Sequence, residues 1–462
     1  MCHELKKIEP FDWRYAAAIT GLVEYLKWLG DKAPNWSIKE YSLEYDPVYI
    51  TEQDYLNFVE YKYSSEMHHC IVEELLTERA DTEVQIKSVN DKLSANSIMK
   101  KIFKQVRYDG KNADKIQMMI DENREEIVRE TFRNKNNLYR NYCNTNQLFA
   151  EGHDCCRLWG YYVDIPKKGK SLTYNFNLSN LVTTDEQIFD FIPFAFHGER
   201  EFFFVNDNIN LDNLIYTNSM LAFKIEEEKK KFEGEQKNIN ARQIFFKLLI
   251  ETKDFIRNDI EVIVKNIEKD HFETLYLRKY SLEILSNLGI EEFGKRRYEC
   301  FCTPVRIANE WLDIFQVVIN AIINLVLLDN LIDYLLKYGK DGDYAYIIGQ
   351  LIKINIMIKG EKDMEQATKR AYACAKTVRE KRVGDSYKIP NNKLHAYRQK
   401  LTSALAFEDY ERFNQILLNL ANYADETFDF AYDLFEDFEK NKELAYTFVN
   451  ALYRSEKMNK GE

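Results

Sequence analysis

Lysine and arginine are concentrated in a few short stretches of this 462-residue chain. The densest stretch runs from 369 to 400, where ten basic residues meet only Glu380 and Asp385, and the local net charge is +8. Positive side chains at this density favour contact with a nucleic-acid backbone, the alternatives being a partner protein or a solvated surface. Helical spacing places Lys369, Lys376 and Arg379 on one face. The candidate binding residues here are Lys369, Arg370, Lys376, Arg379, Lys381 and Arg382.

Three smaller basic stretches have a similar character. One lies beside Phe103 and Tyr108, one mixes arginine and asparagine with tyrosine, and one is the tip of a predicted hairpin. Arginine, asparagine and aromatic side chains are types that read base edges and stack on bases, although basic turns are also common solubilising features. The candidates are Lys100, Lys101, Lys104 and Arg107; Arg133, Lys135, Asn136, Asn137 and Arg140; and Lys167, Lys168 and Lys170.

Motifs for enzyme chemistry are missing from the sequence. It contains no Walker A loop, dinucleotide glycine motif, Gly-x-Ser-x-Gly elbow or His-Glu-x-x-His. Three cysteine and histidine groups lack the two-to-four-residue pair spacing of a structural zinc site, so we expect buried thiols, no bound metal and no cofactor. These groups are His153, Cys155 and Cys156 with Cys143 nearby; Cys300 and Cys302; and His68, His69 and Cys70.

Acidic residues supply the main competing interpretation. The chain has a net charge of −11, which argues against a freestanding DNA-binding protein, and residues 425–443 carry a net charge of −6. Clustered carboxylates could hold a catalytic metal ion, but a solvated or partner-facing surface is the commoner arrangement. The cluster consists of Asp425, Glu426, Asp429, Asp433, Glu436 and Asp437.

The elements that must position these residues indicate an α+β protein. Periodicity predicts helices over 11–30, from Thr51 to about 78 and through 80–135 with a break near Asp109-Gly110. It predicts strands over 37–44, 48–50, 158–163, 172–176, 189–196 and 201–205, and a nearly all-helical chain after about 240. We therefore expect an α/β domain with a small antiparallel sheet over 1–235, a helical connecting region over 236–340 and an all-helical bundle over 341–462.

The most apolar stretch, 311–336, is predicted to be an amphipathic helix. Its polar residues recur every three or four positions, and Asp329 and Asp333 would be costly in lipid. The N-terminus lacks the apolar region of a secretory signal, and eight scattered cysteines suit a reducing compartment. We expect a cytoplasmic protein.

Several segments, taken in order, resemble the large subunits of type I CRISPR surveillance complexes (Cascade), closest to the short form of subtypes I-B and I-A. The similarity covers most of the chain except 80–130 and 225–300, and no single motif in it is catalytic. It lies in Phe11–Leu22, Leu158–Lys170, Phe191–Phe196 and Phe202–Asn208, and in a C-terminal pattern of Tyr397, Leu401, Ala404, Leu405, Asp409, Phe413, Leu417, Leu420, Tyr423, Ala445–Val449 and Ala451-Leu452.

The resemblance implies a non-enzymatic protein bound near the 5′ end of the guide CRISPR RNA. Such subunits read the motif flanking the target in double-stranded DNA, stabilise the opened DNA and recruit the helicase-nuclease, beside the backbone and guide-5′-end subunits. Asn136, Asn137, Arg140 and the Lys167–Lys170 tip are the candidates for reading the flanking motif. In some of these systems the C-terminal region also occurs as a separate small subunit, and internal translation from Met364 would give 99 residues.

Two alternatives to this function stay open at this point. One is a metal-dependent nuclease of a defence system, which would use the acidic cluster. The other is a structural scaffold whose basic stretch docks a partner protein.

Overall fold

The computed structural model describes residues 4–77, 82–152, 156–161, 184–207, 209–231, 241–251, 258–292, 294–307, 310–339, 344–361 and 363–453. The chain divides into two compact units. The first unit comprises Met1–Phe245 with Asp259–Tyr276, and the second comprises Phe246–Asn258 with Leu277–Glu462.

Helix α1 (Trp13–Leu29) is central to the first unit and is buried along most of its length. The Asp12 carboxylate caps its start by accepting the N–H groups of Arg14 and Tyr15, and Gly30 ends it with φ of 55°. A side chain at Gly21 would collide with the backbone carbonyl of Phe191. Glycine is needed there because α1 packs directly against the 3₁₀ turn at Gln187–Phe191.

Two small antiparallel sheets flank this core. The first has the order β1-β3-β2, in which Glu44 is opposite both Lys7 and Ser37. The second has the order β4-β5-β6-β7, in which Phe203 is opposite Val264. The strands are β1 (Lys6–Ile8), β2 (Trp36–Lys39), β3 (Ser42–Tyr45), β4 (His197–Gly198), β5 (Glu201–Asn206), β6 (Ile260–Asn266) and β7 (Phe272–Leu277).

The remaining helices of this unit surround α1 and build a second, smaller core. Rings of Tyr55, Phe58 and Phe194 pack edge to face in the main core. The smaller core contains Val72 and Ile116. The helices are α2 (Glu52–Lys62), α3 (His68–Thr77), α4 (Glu83–Leu93), α5 (Ser97–Phe103), α6 (Ala113–Asn134), α7 (Tyr139–Tyr142), α8 (Ile192–Ala195), α9 (Leu211–Lys231) and α10 (Ala241–Glu251), of which α10 crosses into the second unit.

The second unit is a helical bundle with short hairpins. Its last helix packs most extensively against two others, and Leu444, Tyr446 and Phe448 on it are buried. The helices are α11 (Lys279–Leu288), α12 (Ile314–Asn324), α13 (Asp329–Tyr338), α14 (Ala345–Lys359), α15 (Met364–Glu380), α16 (Asn391–Ala406), α17 (Tyr410–Ala424), α18 (Phe430–Glu436) and α19 (Lys442–Ala451). The hairpins pair β8 (Glu291–Glu292) with β9 (Lys295–Arg296), β10 (Val305–Ile307) with β11 (Glu310–Leu312), and β12 (Arg382–Val383) with β13 (Ser386–Tyr387).

The predicted α+β class is confirmed, while several element predictions are wrong. Residues 187–195 form helical turns instead of a strand, because Pro193 suits the first turn of a helix. The region 236–340, expected to be helical, contains β6 and β7, which complete the second sheet of the first unit. The stretch 311–336 is divided between β11, α12 and α13, with Leu325 in the left-handed conformation between the helices.

Two further strand predictions need correction. The predicted strand 37–44 is split into β2 and β3 by a turn, and 47–49 is a 3₁₀ turn capped by Asp46. In the predicted strand 158–163, Leu158 forms an isolated bridge with Cys143. Residues 162–183, which include the predicted partner strand 172–176, lie outside the described residues. Among the described helices, none is long and apolar enough to cross a membrane.

Candidate nucleic-acid interface

The basic stretch (369–400) and the acidic stretch (425–443) meet in the second unit. Lys381 Nζ lies 2.6 Å from Glu426 Oε1 and donates to the Asp425 carbonyl at 2.8 Å. Lys388 lies 3.3 Å from the Asp425 carboxylate. Arg370 reaches Asp433, at 3.4 Å. Part of the local charge of +8 is therefore neutralised within the chain, and these side chains are less free to bind phosphate.

Arg379 has a structural role at the end of α19. Its Nη1 donates to the carbonyl of Ala451 at 3.0 Å and to that of Tyr453 at 3.3 Å, and its side chain is only 22% exposed. Carbonyl groups at a helix C-terminus lack intrahelical partners and carry partial negative charge, which a guanidinium satisfies. Arg379 is therefore not available to bind phosphate together with Lys369 and Lys376, as its place on the same helical face had predicted.

The outward side of α15 retains an exposed basic and aromatic face. Lys369, Tyr372 and Lys376 follow each other at three- and four-residue spacing and are all exposed. Lys369 pairs with Glu365 at 3.1 Å, but both side chains are at least 70% exposed, so this bridge is weak. For Lys376, no partner is seen among the described residues. We call these three residues the outer α15 face.

Sequence reasoning missed Tyr372, although its spacing from the two lysines was a readable signal. Arg382, on the neighbouring hairpin, is also exposed, and its guanidinium lies 4.9 Å from the Tyr387 ring centre. Exposed aromatic rings between cationic side chains are the arrangement that binds single-stranded nucleic acid, by stacking and by phosphate contact.

In the first unit, the 100–107 cluster is basic but offers no aromatic platform. Lys100, Lys104 and Arg107 are exposed, and Lys101 pairs with Glu126 at 2.6 Å. The neighbouring rings of Phe103 and Tyr108 are 1% and 5% exposed and belong to the smaller core. These rings are therefore unavailable for base stacking.

The 133–140 cluster is partly consumed by internal contacts. Arg133 pairs with Glu130 at 3.2 Å, and Lys135 binds both the carbonyl and the carboxylate of Glu66. Asn136 and Arg140 are exposed and Asn137 is half-buried. The tyrosines expected to help bind bases, Tyr139 and Tyr142, are buried in the main core.

Residues that precede and follow the third basic cluster in the sequence form a buried ion network. Lys167, Lys168 and Lys170 lie outside the described residues, but Arg157 and Asp185 flank this cluster and contact each other. Arg157 also reaches Asp190 at 2.7 Å, and all three side chains are fully buried. Burial raises the pKa of Asp190, while the Arg157 guanidinium acts to lower it. The network therefore joins described residues that precede and follow this cluster in the sequence.

The acidic cluster does not assemble into a metal site. Asp425, Glu426 and Asp433 pair with lysine or arginine, and no three carboxylates of the cluster come within reach of one ion among the described residues. The Cys300 and Cys302 thiols each donate to a backbone carbonyl within their own turn, at 3.1 and 3.6 Å. His153 and Cys155 lie outside the described residues, while Cys143 and Cys156 are buried.

Comparison with known proteins identifies the family of the chain. The model of the family described as CRISPR-associated protein Csx8 matches residues 6–452. Neither the curated proteins nor the solved structures contain a significant match. Because the family match spans nearly the whole chain, the protein belongs to the Csx8 family of CRISPR-associated proteins.

Proposed function

We propose that this Csx8-family protein is the non-catalytic large subunit of a type I RNA-guided surveillance complex. In this role it recognises the motif flanking the target, stabilises the opened DNA and recruits the helicase-nuclease. The observation that carries the proposal is the outer α15 face, an exposed Lys-Tyr-Lys stripe on a protein whose net charge is −11. In RNA-guided complexes base pairing reads the sequence, and the protein holds backbone and displaced strand.

The number of free cations sets the expected strength of binding. Lys369, Lys376 and Arg382 are the exposed basic candidates of this region that neither pair with the acidic stretch (425–443) nor cap α19. Three phosphate contacts to a single strand predict a slope of about −2 in log affinity against log salt. Binding by the isolated chain is then weak at physiological salt, and the guide RNA and neighbouring subunits supply the remaining affinity.

The first unit would face the guide and the flanking duplex. Lys100, Lys104 and Arg107 supply phosphate contacts, and Asn136 and Arg140 supply the exposed amide and guanidinium that can read base edges. The half-buried Asn137 is a weaker candidate. Membership of a I-B- or I-A-like complex, with guide CRISPR RNA and backbone subunits as partners, is part of the same proposal.

A separate small subunit starting at Met364 would face a structural difficulty. It would lack α14 and with it Lys359, which lies 2.7 Å from the fully buried carboxylate of Glu443. Burial raises the pKa of Glu443, and Lys359 acts to lower it. We expect such a product to need another cation and an apolar surface in place of α14.

The test is binding of a fluorescent single-stranded oligonucleotide by the full chain, measured by anisotropy at several salt concentrations. Lys369→Glu with Lys376→Glu should weaken binding and flatten the salt slope by about 1.4, since each lost contact to a single strand removes about 0.7. The matched control reverses two exposed lysines elsewhere in the same unit, Lys295→Glu with Lys337→Glu. Equal losses in both double variants would show that only net charge matters, and would contradict the proposal.

The two alternatives give different results in the same experiment. Cleavage of the oligonucleotide by the purified chain with Mg²⁺ or Mn²⁺ would replace the proposal with a nuclease. Binding that survives charge reversal of the outer α15 face would favour the protein-docking scaffold.

A further inference from the structure

We infer that Glu60, His69 and Cys70 form a zinc site in the first unit. Glu60 lies in the last turn of α2, and the two other residues lie in the first turn of α3. The short connection between the helices brings one ligand atom of each residue together. His69 Nε2 lies 2.9 Å from Glu60 Oε1 and 3.4 Å from Cys70 Sγ, and Sγ lies 3.7 Å from Oε1.

Two of these separations lie close to the edge length of a zinc tetrahedron, and the third, from His69 Nε2 to Glu60 Oε1, is shorter at 2.9 Å. With Zn–S of about 2.3 Å and Zn–N and Zn–O of about 2.0–2.2 Å, tetrahedral ligands lie about 3.4–3.6 Å apart. Side-chain shifts of a few tenths of an ångström would therefore let one ion reach all three atoms. Among the described residues, this is the one group of three histidine, cysteine or acidic residues whose ligand atoms lie within 4.8 Å of each other.

The surroundings orient the ligands. His69 is fully buried, and of its ring nitrogens only Nε2 has a polar contact within the described part of the chain. Arg124, on α6, donates to Glu60 Oε1, the proposed ligand atom, at 2.5 Å and also binds Glu73 and Asp121. The guanidinium thus holds the Glu60 carboxylate while keeping two other anionic partners of its own, as a supporting residue does around a metal ligand.

Charge and donor type favour zinc over magnesium or calcium. Glu60, Glu73 and Asp121 leave a net charge of −2 after pairing with Arg124. A cysteine binds a metal ion as its thiolate, so the Cys70 thiol would lose its proton when a metal binds. Binding would form a metal–thiolate bond and release that proton to solvent, and nitrogen and sulfur donors select Zn²⁺ over Mg²⁺ and Ca²⁺.

An open groove reaches Glu60, one of the three proposed ligands, and its lining does not include His69 or Cys70. It runs between α2 and α6, has a volume of about 690 Å³, and is lined by Glu60 and Arg124 among other polar residues. Three protein ligands with an open fourth position is the pattern of a site that completes its shell with water or a bound group.

Zinc titration of the metal-free full chain tests this site. We expect one Zn²⁺ per chain with release of one proton, a higher unfolding temperature, and a thiolate charge-transfer band when Co²⁺ is used as the probe. Cys70→Ser should weaken Zn²⁺ binding by more than about tenfold and abolish the band, because it removes the sulfur ligand. The control, Cys374→Ser, removes a half-buried thiol from α15 and should change neither.

Glu60→Gln keeps the size of the side chain and provides a second variant if Cys70→Ser fails to fold. It should weaken Zn²⁺ binding while leaving the thiolate band of any bound Co²⁺. The inference is overturned if the native chain shows no saturable Zn²⁺ binding, or if Cys70→Ser binds Zn²⁺ as tightly as the native chain. These results are independent of oligonucleotide binding, so this inference and the proposed function can fail separately.

Discussion

Replacing Arg157 with methionine should destabilise the first unit severely. The guanidinium makes five hydrogen bonds, to Asp185, Asp190 and the carbonyls of Gln147 and Ala150. Arg157→Met fills most of the same volume but leaves two fully buried carboxylates without a cation. Removing one partner of a buried ion pair costs about 3–5 kcal/mol. The free energy of unfolding of a whole domain is only about 5–15 kcal/mol.

The loss of stability caused by Arg157→Met should depend on pH, and the burial of Asp190 sets the direction of this dependence. Burial already raises the pKa of this carboxyl, and loss of Arg157 removes a group that lowers it. A folded-state pKa above the unfolded value contributes stability that is present at low pH and lost as pH rises through the folded-state pKa. The destabilisation by Arg157→Met should therefore be smaller near pH 5 than near pH 8.

Urea unfolding followed by tryptophan fluorescence measures this effect, because Trp13, Trp28, Trp36 and Trp159 lie in the first unit and only Trp311 lies in the second. The control is Arg129→Met, whose native arginine is 36% exposed and pairs with Glu52 and Glu125 at 3.0 and 2.9 Å. That change should cost about 0–1 kcal/mol. If Arg157→Met cost no more than Arg129→Met, at either pH, the argument from burial would be refuted.

The second unit gives two further predictions, both read by hydrogen exchange. Burial raises the pKa of Asp333 to about 6, so α13 and α19 should lose protection from exchange as pH rises from about 4 to 6. Asp333→Asn should remove this pH dependence. If the variant kept the pH profile of the native chain, the prediction would be wrong. Arg379→Met should speed exchange at the end of α19, because it removes the hydrogen bonds to the carbonyls of Ala451 and Tyr453. It should lower oligonucleotide affinity less than Lys376→Glu does. A larger loss of affinity in Arg379→Met would show that Arg379 belongs to the interface.

Local signals in the sequence predicted the elements whose ends are locally encoded. Gly30 ends α1, Thr51 caps the start of α2, and the Asp109-Gly110 break separates α5 from α6, because caps and turns depend on neighbouring residues. The apolar run at 189–196 was misread, because a short apolar run is compatible with a strand or a buried helix. Strand β6 was missed because its partner β5 lies far away in the sequence, and β7, which pairs with β6, was missed with it.

The candidate interface was harder to predict because its residues are selected by tertiary contacts. The sequence shows a basic stretch and an acidic stretch, but only the fold shows that Lys381 meets Glu426 and that Arg379 caps α19. Aromatic residues beside basic ones look alike in sequence whether buried, as Tyr139 is, or exposed, as Tyr372 is. Burial therefore decides which aromatic residues can stack on a base.

The central claim is that this protein holds opened target DNA within an RNA-guided complex without cutting it. The most direct measurement is duplex opening in the complex reconstituted with guide RNA, using a target that carries a fluorescent base analogue in the displaced strand. We predict opening with the native chain, weaker opening with Lys369→Glu and Lys376→Glu combined, and intact DNA until the helicase-nuclease is added. Equal opening without this chain, or cleavage by the complex alone, would contradict the account.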